Sequence, residues 1–483
     1  KLLAILLSFA LTICVIPQTA LAQIGEVFGV AESDSTLSQS EFGEISEKSP
    51  ENCEVYTIGE MVEERTATTK TFRMSDGTFV TADYGKQVHF IDEYGEYTDY
   101  NNLLVFDEKR ISDGEEDFAG YENQNSNIKI KLANNSNSSN LLKIASDKYK
   151  ISIKLVGADE SRRLEIYNQS TKPDGNNIDA VVVLDKYASG AVYKDILPFT
   201  DIEYLISGSS VKENIVVKAK SDSYIYVFEL KLNGLTPVVA EDGSIVFKDE
   251  ESGEAAFTVP AGYMYDANGN SSSNMTYKIE AQNGKKYRLT VTADASWIND
   301  KDRAFPVTID PTVEALTTSV NIYDTYVSSE YTTSNYYNID KVISGYYGNE
   351  TKECHALITT AALPQLPKSA AIVDAKLYVY HMDTEYDTKV RIAAKEITST
   401  WDSTTVTWNT KPTYGSTILD YVSVDEMNEG KHVAFDVTNL AQAWYSGTKT
   451  MHGIALCPVS GYGNGRIYFG SSDYVGEIFP HLL

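Results

Sequence analysis

The sequence predicts an all-β protein, with an N-terminal β-rich region followed by a C-terminal antiparallel β-sandwich of jelly-roll-like type. Short segments with apolar residues at every second position recur along the chain, separated by turns rich in Gly, Asn and Asp. Only one helix is predicted, from Thr438 to about Tyr445, with Thr438 as its N-cap and Gly447 as its stop. Repeated strands with almost no helix are typical of packed sheets.

The N-terminus is typical of a secretory signal peptide over residues 1–22. Lys1 precedes an apolar run over residues 2–16, and small residues end the segment at Ala22, where we expect cleavage. Residues 23–52 are rich in Ser, Glu and Asp, which predicts a disordered spacer. These features predict a protein that is secreted, extracellular or cell-wall associated.

The formal net charge of the chain is -27. Such a charge repels nucleic acid over long range, so we expect no nucleic-acid partner. Removal of the leader would leave three cysteines, Cys53, Cys354 and Cys457, an odd number that excludes a fully paired disulfide scaffold. A Cys354–Cys457 disulfide stays open, although two buried thiols are favoured.

The predicted N-terminal β-rich region covers residues 53–311 and is expected to contain two subdomains that meet near residues 157–172. A hairpin is predicted where Val88 to Ile91 and the strand ending at Thr98 flank a turn with Gly95. Pro311 follows a β-branched run and is expected to end the ladder and the domain.

The C-terminal module is predicted over residues 313–483. Ala375, Leu377 and Val379 alternate with Lys376, Tyr378 and Tyr380, which predicts one buried face and one wet face. The last five residues, from Phe479 to Leu483, read as the opening of a strand, so we expect the chain to be a fragment.

Several segments of this module carry a resemblance: the sequence TWDSTTVTWNTKP around Trp401 to Pro412, FDVT from Phe435, GIAL from Gly453 and FGSSD from Phe469. With these segments, the module resembles the DNRLRE-domain family of β-sandwiches related to alginate-binding carbohydrate modules. The resemblance implies a polysaccharide partner, from the cell wall or the environment. Cys354-His355 stands where the family often has a basic residue, so that contact is in doubt.

The preceding region resembles the N-terminal part of Gram-positive wall-associated proteins with RHS/YD repeats. The segments that carry this are VHF from Val88, VYKDI from Val192, VKENI from Val211 and YDANG from Tyr265. The resemblance implies downstream repeat domains of the same chain as partners, and a toxin beyond them.

No local catalytic motif is present: GxSxG, HExxH, a P-loop and paired CxxC are all missing, and the six histidines are scattered. Asp201, Glu203 and Glu213 are candidates for a carboxylate pair, but their strand spacing favours a solvated face. We therefore expect that the protein is not an enzyme.

A structural Ca²⁺ is the one candidate cofactor, with Asp324 and Asp473 near strand ends as its candidate ligands. The segment from Asp266 to Asn270 has alternating oxygen donors, but Ser271 and Tyr277 stand where a calcium loop needs Gly and Glu, so a turn is favoured.

The candidate ligand-binding residues are Tyr346, Tyr347, Lys352 and Arg391, aromatic and cationic groups suited to an anionic glycan. A tryptophan on a strand or helix more often fills a core, and this interpretation is favoured for the set Trp401, Trp408 and Trp444. The function predicted first is polysaccharide binding without catalysis. The alternatives are a structural region of a large RHS/YD-repeat wall-associated toxin and, third, a polysaccharide-cleaving enzyme.

Overall fold

A computed structural model describes the greater part of the chain. The described residues are 9–17 (backbone only), 55–108, 118–169, 184–267, 270–310, 312–315, 322–337, 339, 341–348, 350–366, 370–385 and 389–472. The predicted spacer, Cys53 and the chain end beyond Ser472 lie outside this set. The regular structure of the described residues is almost all strand, at 54% strand against 6% helix, so the all-β fold class is confirmed.

In the first part of the chain, the described residues form twenty-five strands, one short α-helix and a 3-10 turn at Val62–Glu64. In chain order these are β1 Phe9–Pro17, β2 Thr57–Glu60, β3 Thr69–Met74, β4 Phe79–Asp83, β5 His89–Ile91, β6 Tyr97–Asp99, β7 Val105–Asp107, β8 Gly120–Glu122, β9 Lys129–Ala133, β10 Leu142–Ser146, β11 Tyr149–Leu155, β12 Leu164–Gln169, β13 Ala188–Leu197, β14 Thr200–Ser207, β15 Ser210–Val217, β16 Ile225–Asn233, β17 Leu235–Val239, β18 Ile245–Asp249, β19 Ala255–Val259, β20 Tyr263–Asp266, β21 Ser271–Ser272, β22 Met275–Ala281, β23 Lys286–Ala293, α1 Ala295–Ile298, β24 Val307–Asp310 and β25 Thr312–Ala315.

Two large antiparallel sheets dominate this region and share one hydrophobic cluster. One sheet has the order β22-β23-β16-β11-β10-β9-β8-β7, and the other is built on β12-β13-β14-β15-β25-β19-β18-β17 with β20, β21 and β24 attached. Leu142 and Leu230 of the first sheet and Tyr193 and Ile202 of the second belong to the same buried cluster. The predicted hairpin is confirmed as β5 and β6, with Gly95 at a positive φ of 84°.

Where the C-terminal module is described, it contains nine strands and one α-helix. They are β26 Ile322–Ser328, β27 Lys341–Tyr347, β28 Lys352–Thr360, β29 Ala370–Thr384, β30 Val390–Ile397, β31 Tyr414–Val424, β32 Lys431–Asp436, α2 Thr438–Tyr445, β33 Ile454–Pro458 and β34 Gly465–Gly470. The nine strands belong to one sheet that also includes β1 to β4 of the first part of the chain. Its order is β2-β3-β4-β1-β29-β34-β27-β28-β33-β30-β31, and β26 and β32 are attached to it.

The alternation predicted for β29 is confirmed on one face and wrong on the other. Ala375, Leu377 and Val379 lie in the module's hydrophobic core. Tyr378 and Tyr380, expected on a wet face, are only 5% exposed. Tyr378 packs into a cluster with Tyr84, Val88, Tyr187 and other residues of the first part of the chain. That face is buried because another region of the chain covers it.

The predicted helix is confirmed as α2, with its N-cap one residue earlier than expected. Val437 is the N-cap residue, and the Thr438 hydroxyl instead donates to Asp436 Oδ1 at 2.7 Å and accepts the Ala375 N–H at 3.0 Å. Gly447, at a φ of 69°, follows the last helical turn as predicted. No described helix is long and apolar enough to span a membrane.

Strand pairing continues past Pro311, contrary to the expectation that the ladder ends there. β25 still pairs with β15 and β19, because Thr312 to Ala315 offer backbone donors on the far side of the proline. The domain boundaries themselves stay predictions.

Candidate functional site

The sandwich module presents a second, polar and aromatic surface on the side of its strands opposite the main core. Along β28, Cys354, Ala356 and Ile358 point into the core, so Glu353, His355 and Leu357 point to the other side. Strand register places further side chains on that side: Tyr346 opposite Glu353, Cys457 and Tyr421 opposite Ala393, and Arg391 two residues before Ala393. We call this surface the outer face and define it by the residues Tyr346, Glu353, His355, Arg391, Tyr421 and Cys457.

The segment from Trp401 to Pro412 covers part of the outer face. Val406 is buried there against a small cluster with Leu357 and Cys457. The Trp401 indole N–H donates to the His452 carbonyl at 2.8 Å, and the Asn335 amide donates to the carbonyls of Ser403 and Val406. The first tryptophan of the segment is therefore an anchor that fixes the fold of the cover.

Trp408 lies at the edge of this cover and is only half-buried. The Lys411 ammonium lies 3.7 Å from the centroid of the Trp408 ring. The centroids of the His355 and Trp408 rings are 5.0 Å apart. A cation held over an indole face is attracted by the ring quadrupole. Trp408 therefore supports a positive charge beside an aromatic surface. Trp444, in contrast, is buried in the main core, as predicted.

His355 is the buried centre of the outer face. Its Nε2 lies 3.2 Å from Glu353 Oε2, and its Nδ1 lies 3.2 Å from the Tyr414 hydroxyl. Burial lowers the pKa of His355, but Cys457 and Glu353 beside it raise the pKa more strongly, to about 9. The pKa of Glu353 is lowered, chiefly by its contact with His355. The imidazole is therefore a cation at neutral pH, and its contacts with Glu353 and Tyr414 fix its orientation.

Arg391 is the most distinctive group of the outer face. Its guanidinium carbon lies 3.7 Å from the Tyr462 ring centroid and 4.8 Å from that of Tyr421. Both rings are exposed, at 49% and 55%. Arg391 Nε is buried with no hydrogen-bond partner, and no carboxylate pairs with Arg391, among the described residues. The arrangement holds a planar cation between two accessible aromatic rings, and its Nε–H group is unpaired among the described residues.

The loop that carries Tyr462 is fixed by backbone contacts. Arg391 N–H donates to the Tyr462 carbonyl at 3.0 Å, and Val459 N–H donates to the Arg391 carbonyl at 2.9 Å. Gly463 has a φ of 106°, and a Cβ there would lie 2.2 Å from the Lys389 carbonyl oxygen. Only glycine fits this close approach, so the tyrosine is positioned rather than loose.

Of the four predicted ligand-binding residues, the structure places two on the outer face and two elsewhere. Tyr346 and Arg391 lie on the outer face. Tyr347 and Lys352 are opposite each other on the reverse side, because successive residues of a strand point to opposite faces. The Tyr347 hydroxyl is 3.0 Å from Ser328 Oγ, and its ring packs against the module core.

Sequence reasoning missed Tyr421 on the outer face and also Tyr462 and Lys411, which lie beside it. Tyr462 stands in the Gly/Ser-rich segment SGYGNG, which is a readable signal for a tyrosine held on a tight loop. A polar cavity of about 400 Å³ was also missed; it lies between β31 and the start of α2 and is lined in part by Glu396, Asp436 and Lys449.

The calcium prediction falls only partly within the described residues. Asp324 is buried, and its Oδ2 accepts the Ser472 N–H at 2.7 Å, while Asp473 lies outside the described residues. No group of three or more His, Cys, Asp or Glu suited to a metal ion occurs in the part of the chain that the structure describes. A structural Ca²⁺ at Asp324 stays a prediction.

Of the three candidate carboxylates, Asp201 and Glu203 lie two residues apart on one half-exposed face of β14, and Glu213 of β15 does not join them. Glu203 is opposite Asn214, whereas Glu213 is opposite Tyr204 and so points to the other side of the sheet. Glu213 is buried and accepts the Tyr204 hydroxyl at 2.9 Å, and burial raises its pKa to about 7. Asp201 accepts from Lys218 Nζ at 2.7 Å.

The two described cysteines, Cys354 and Cys457, are both free and buried, as favoured. Cys354 points into the core, where burial raises the pKa of its thiol to about 11. Cys457 points to the outer face, beside His355.

Comparison with known families gives one match, and it lies in this module. Residues 315–478 match carbohydrate-binding module family 96. The matched region begins in β25 and includes every strand of the sandwich from β26 to β34, and therefore the whole outer face.

Most of the chain is similar to part of the WapA proteins, which are much longer, and a part of it is similar to a wall-associated protein. The chain is 25% identical over 474 residues to the tRNA nuclease WapA of Bacillus subtilis strain 168, covering 92% of this chain and 19% of the relative. It is 30% identical over 274 residues to the tRNA3(Ser)-specific nuclease WapA of Bacillus spizizenii, covering 53% of this chain and 11% of the relative. A wall-associated protein of Geobacillus stearothermophilus is 24% identical over 227 residues, covering 47% of this chain and 82% of the relative.

These relatives overturn one prediction and weaken another. The prediction that the protein is not an enzyme is contradicted, because three relatives are named as tRNA nucleases. For the same reason the expectation of no nucleic-acid partner, drawn from net charge alone, is not supported. The chain spans about a fifth of the length of the relatives it matches over most of its own length.

Proposed function

We propose that the protein is exported and associated with the cell wall, and that its C-terminal sandwich binds polysaccharide through the outer face. The observation that carries the proposal is Arg391 between the exposed rings of Tyr421 and Tyr462. Aromatic faces pack on pyranose rings, and a guanidinium offers paired donors to a carboxylate or to hydroxyls. The match to carbohydrate-binding module family 96 supports the same assignment.

The chemistry of the outer face favours an acidic polysaccharide. Arg391 on the outer face and Lys411 beside it are cations on a chain of net charge -27, and they form a local positive site, whereas the charge of His355 is neutralised by Glu353. Charge-assisted hydrogen bonds from guanidinium to carboxylate are about twice as strong as neutral ones. Downstream repeat domains of the same chain, implied by the resemblance to RHS/YD-repeat proteins, stay a prediction.

The test is affinity electrophoresis of the whole chain through gels that contain acidic or neutral polysaccharides. We expect retardation by an acidic polysaccharide, reversed by Arg391→Ala, while Tyr94→Ala serves as a control for an exposed tyrosine in the first part of the chain, away from the outer face. Equal mobility of the folded protein in all gels would refute polysaccharide binding. Equal loss of retardation in both variants would refute the outer face as the site.

tRNA cleavage is a second candidate function, favoured by the names of three relatives. The acidic chain opposes this function, since like charges weaken association with RNA. Incubation of the purified chain with total tRNA tests the candidate directly. Discrete cleavage products, resolved by gel electrophoresis, would support it, and intact tRNA beside a folded sample would exclude it for residues 1–483.

A further inference from the structure

The polar cavity between β31 and the start of α2 is a second candidate binding site in the sandwich module. Its volume is about 400 Å³. Small-molecule sites occupy roughly 300–1,000 Å³ and combine an apolar surface with a few polar groups. The cavity has this composition, because its lining includes the polar residues Glu396, Asp436 and Lys449 and the apolar residues Ile418 and Leu440.

A bulge in the sheet forms one wall of the cavity. The register between β30 and β31 shifts between Lys395 and Ile397. Over this stretch β31 has three residues, Gly415 to Thr417, where β30 has only Glu396. Extra residues bend a strand, and such bulges are common next to active sites, where they redirect a side chain. The bulged residues line the cavity beside Glu396.

Glu396 points to the core side of the sandwich, away from the outer face. It alternates with Ile392 and Ala394 of the main core and is opposite Ile454, which also belongs to that core. Its Oε2 lies 2.5 Å from Lys449 Nζ, and its side chain is 14% exposed. The other oxygen of this carboxylate, Oε1, accepts no hydrogen bond from the described residues, so it is available to a ligand.

Other polar groups of the cavity wall are also available. Ser416, Thr417 and Asn439 are exposed, and their side chains form no hydrogen bond with the described residues. Asp436 is held at the edge of the cavity, because its Oδ1 accepts both the N–H and the hydroxyl of Thr438, at 2.9 and 2.7 Å. These bonds lower the pKa of Asp436, which is therefore an anion at neutral pH. The wall thus offers carboxylate acceptors together with hydroxyl and amide groups.

The charge of the cavity disfavours an acidic ligand. Lys449 is the one cation among the described residues that line it, and Glu396 neutralises that charge. Asp436 adds a negative charge, which repels a carboxylate of a ligand. Hydroxyl groups, in contrast, form strong charge-assisted hydrogen bonds with carboxylates. Ile418, which is 42% exposed, supplies apolar surface for the carbon face of a sugar ring.

We propose that this cavity binds a neutral sugar residue, which gives the module a second saccharide site that differs from the outer face in its charge preference. All the residues that line the cavity lie in the region that matches carbohydrate-binding module family 96. Arg391 and Glu396 are both on β30, about 16 Å apart along the strand, and point to opposite sides of it. The cavity uses no residue of the outer face, so the two sites are independent.

Calorimetry on the whole chain tests the proposal with neutral tetrasaccharides of glucose, mannose, galactose and N-acetylglucosamine. We expect at least one of them to bind, and Gly415→Leu to weaken that binding about tenfold, because the added side chain fills the cavity. A Cβ at Gly415 would lie 3.5 Å from Glu396 Oε2, and the backbone there is not in the left-handed region, so the substitution is tolerated.

Gly59→Leu is the matched control, since it adds the same side chain where a Cβ would meet no atom within 4 Å. It should bind the neutral sugar as the parent does. If the folded chain bound none of the neutral tetrasaccharides, or if Gly415→Leu bound them as tightly as Gly59→Leu does, the proposal would be overturned.

A charge variant covers the case in which Gly415→Leu fails to fold. Glu396→Gln keeps the size of the side chain and should weaken neutral-sugar binding about threefold, because the hydrogen bond to the sugar is no longer charge-assisted. Unchanged binding in this variant would contradict the proposal.

Arg391→Ala separates the cavity from the function proposed for the outer face. This variant should weaken binding of tetragalacturonate, an acidic probe, and leave binding of the neutral sugar unchanged. Loss of neutral-sugar binding in Arg391→Ala would assign that sugar to the outer face and overturn the cavity site. Neutral-sugar binding by a chain that does not bind tetragalacturonate would support the cavity site and refute only the acidic preference of the outer face.

Discussion

Two arginines of the sandwich module stack on tyrosines, but they differ in what completes their hydrogen bonding. Arg466 lies 5.0 Å from the Tyr347 ring and forms a two-pronged ion pair with Glu385, at 2.5 and 3.0 Å. Arg391 lies between Tyr421 and Tyr462 and has no such carboxylate among the described residues. A guanidinium that is paired with a carboxylate stabilises the fold, whereas a guanidinium with unpaired N–H donors can bind a ligand.

Arg391→Ala should have the largest effect on binding. We expect it to weaken acidic-polysaccharide binding about 10- to 100-fold, because hydrogen bonds to charged groups contribute roughly 1.5–3 kcal/mol. The free energy of unfolding should change by no more than about 1 kcal/mol, the size of a lost cation–π contact. Affinity electrophoresis and urea titration measure the two quantities. A large stability loss with unchanged binding would reverse the roles assigned to the two arginines.

Arg466→Ala should show the opposite behaviour. The side chains of Arg466 and Glu385 are 30% and 25% exposed, so their pair is intermediate between surface and buried ion pairs. We expect the free energy of unfolding to fall by roughly 2 kcal/mol, with polysaccharide affinity unchanged. Glu385→Gln, which leaves the guanidinium in place, serves as the companion variant. Loss of binding in either variant would show that the two arginines do not divide their roles.

Tyr421 separates the contribution of the ring from that of its hydroxyl. Tyr421→Ala should weaken binding about fivefold, since the variant loses stacking surface for the sugar and support for Arg391. Tyr421→Phe keeps the ring and should bind as the parent does. Glycan binding measured by calorimetry on the whole chain distinguishes these outcomes, and a Phe variant as weak as the Ala variant would mean that the hydroxyl makes the contact.

Of the variants considered, Glu353→Gln should change the protein least, because Cys457 continues to raise the pKa of His355 when the charge of Glu353 is removed. The raised pKa means that the stabilisation from the charged imidazole is complete below its ordinary value of 6.5 and is lost as the pH rises through about 9. Glu353→Gln should lower that pKa and move the loss to lower pH. NMR titration of the imidazole measures the shift, and an unchanged pKa would exclude Glu353 as a cause.

The position of each side chain in its strand decided how far sequence reasoning reached. Period-two alternation predicted the all-β class and the core residues Ala375, Leu377 and Val379, because burial of one face imposes that period. It also implied that Tyr346 and Tyr347, being adjacent, point to opposite faces, although both were grouped as one site. The structure places Arg391, one of the candidate ligand-binding residues, on the outer face.

Other features depended on which distant segments meet, and a local pattern does not contain that information. Tyr378 alternates like a solvent-facing residue, yet it is buried because strands near Tyr84 pack on it. Tyr421 and Tyr462 are 41 residues apart and meet only because β30 pairs with both β31 and β33. The sequence alone determined the fold class and the charge of the chain. The tertiary structure decided which aromatic rings surround Arg391, because contacts between residues far apart in sequence form only when the sheet closes.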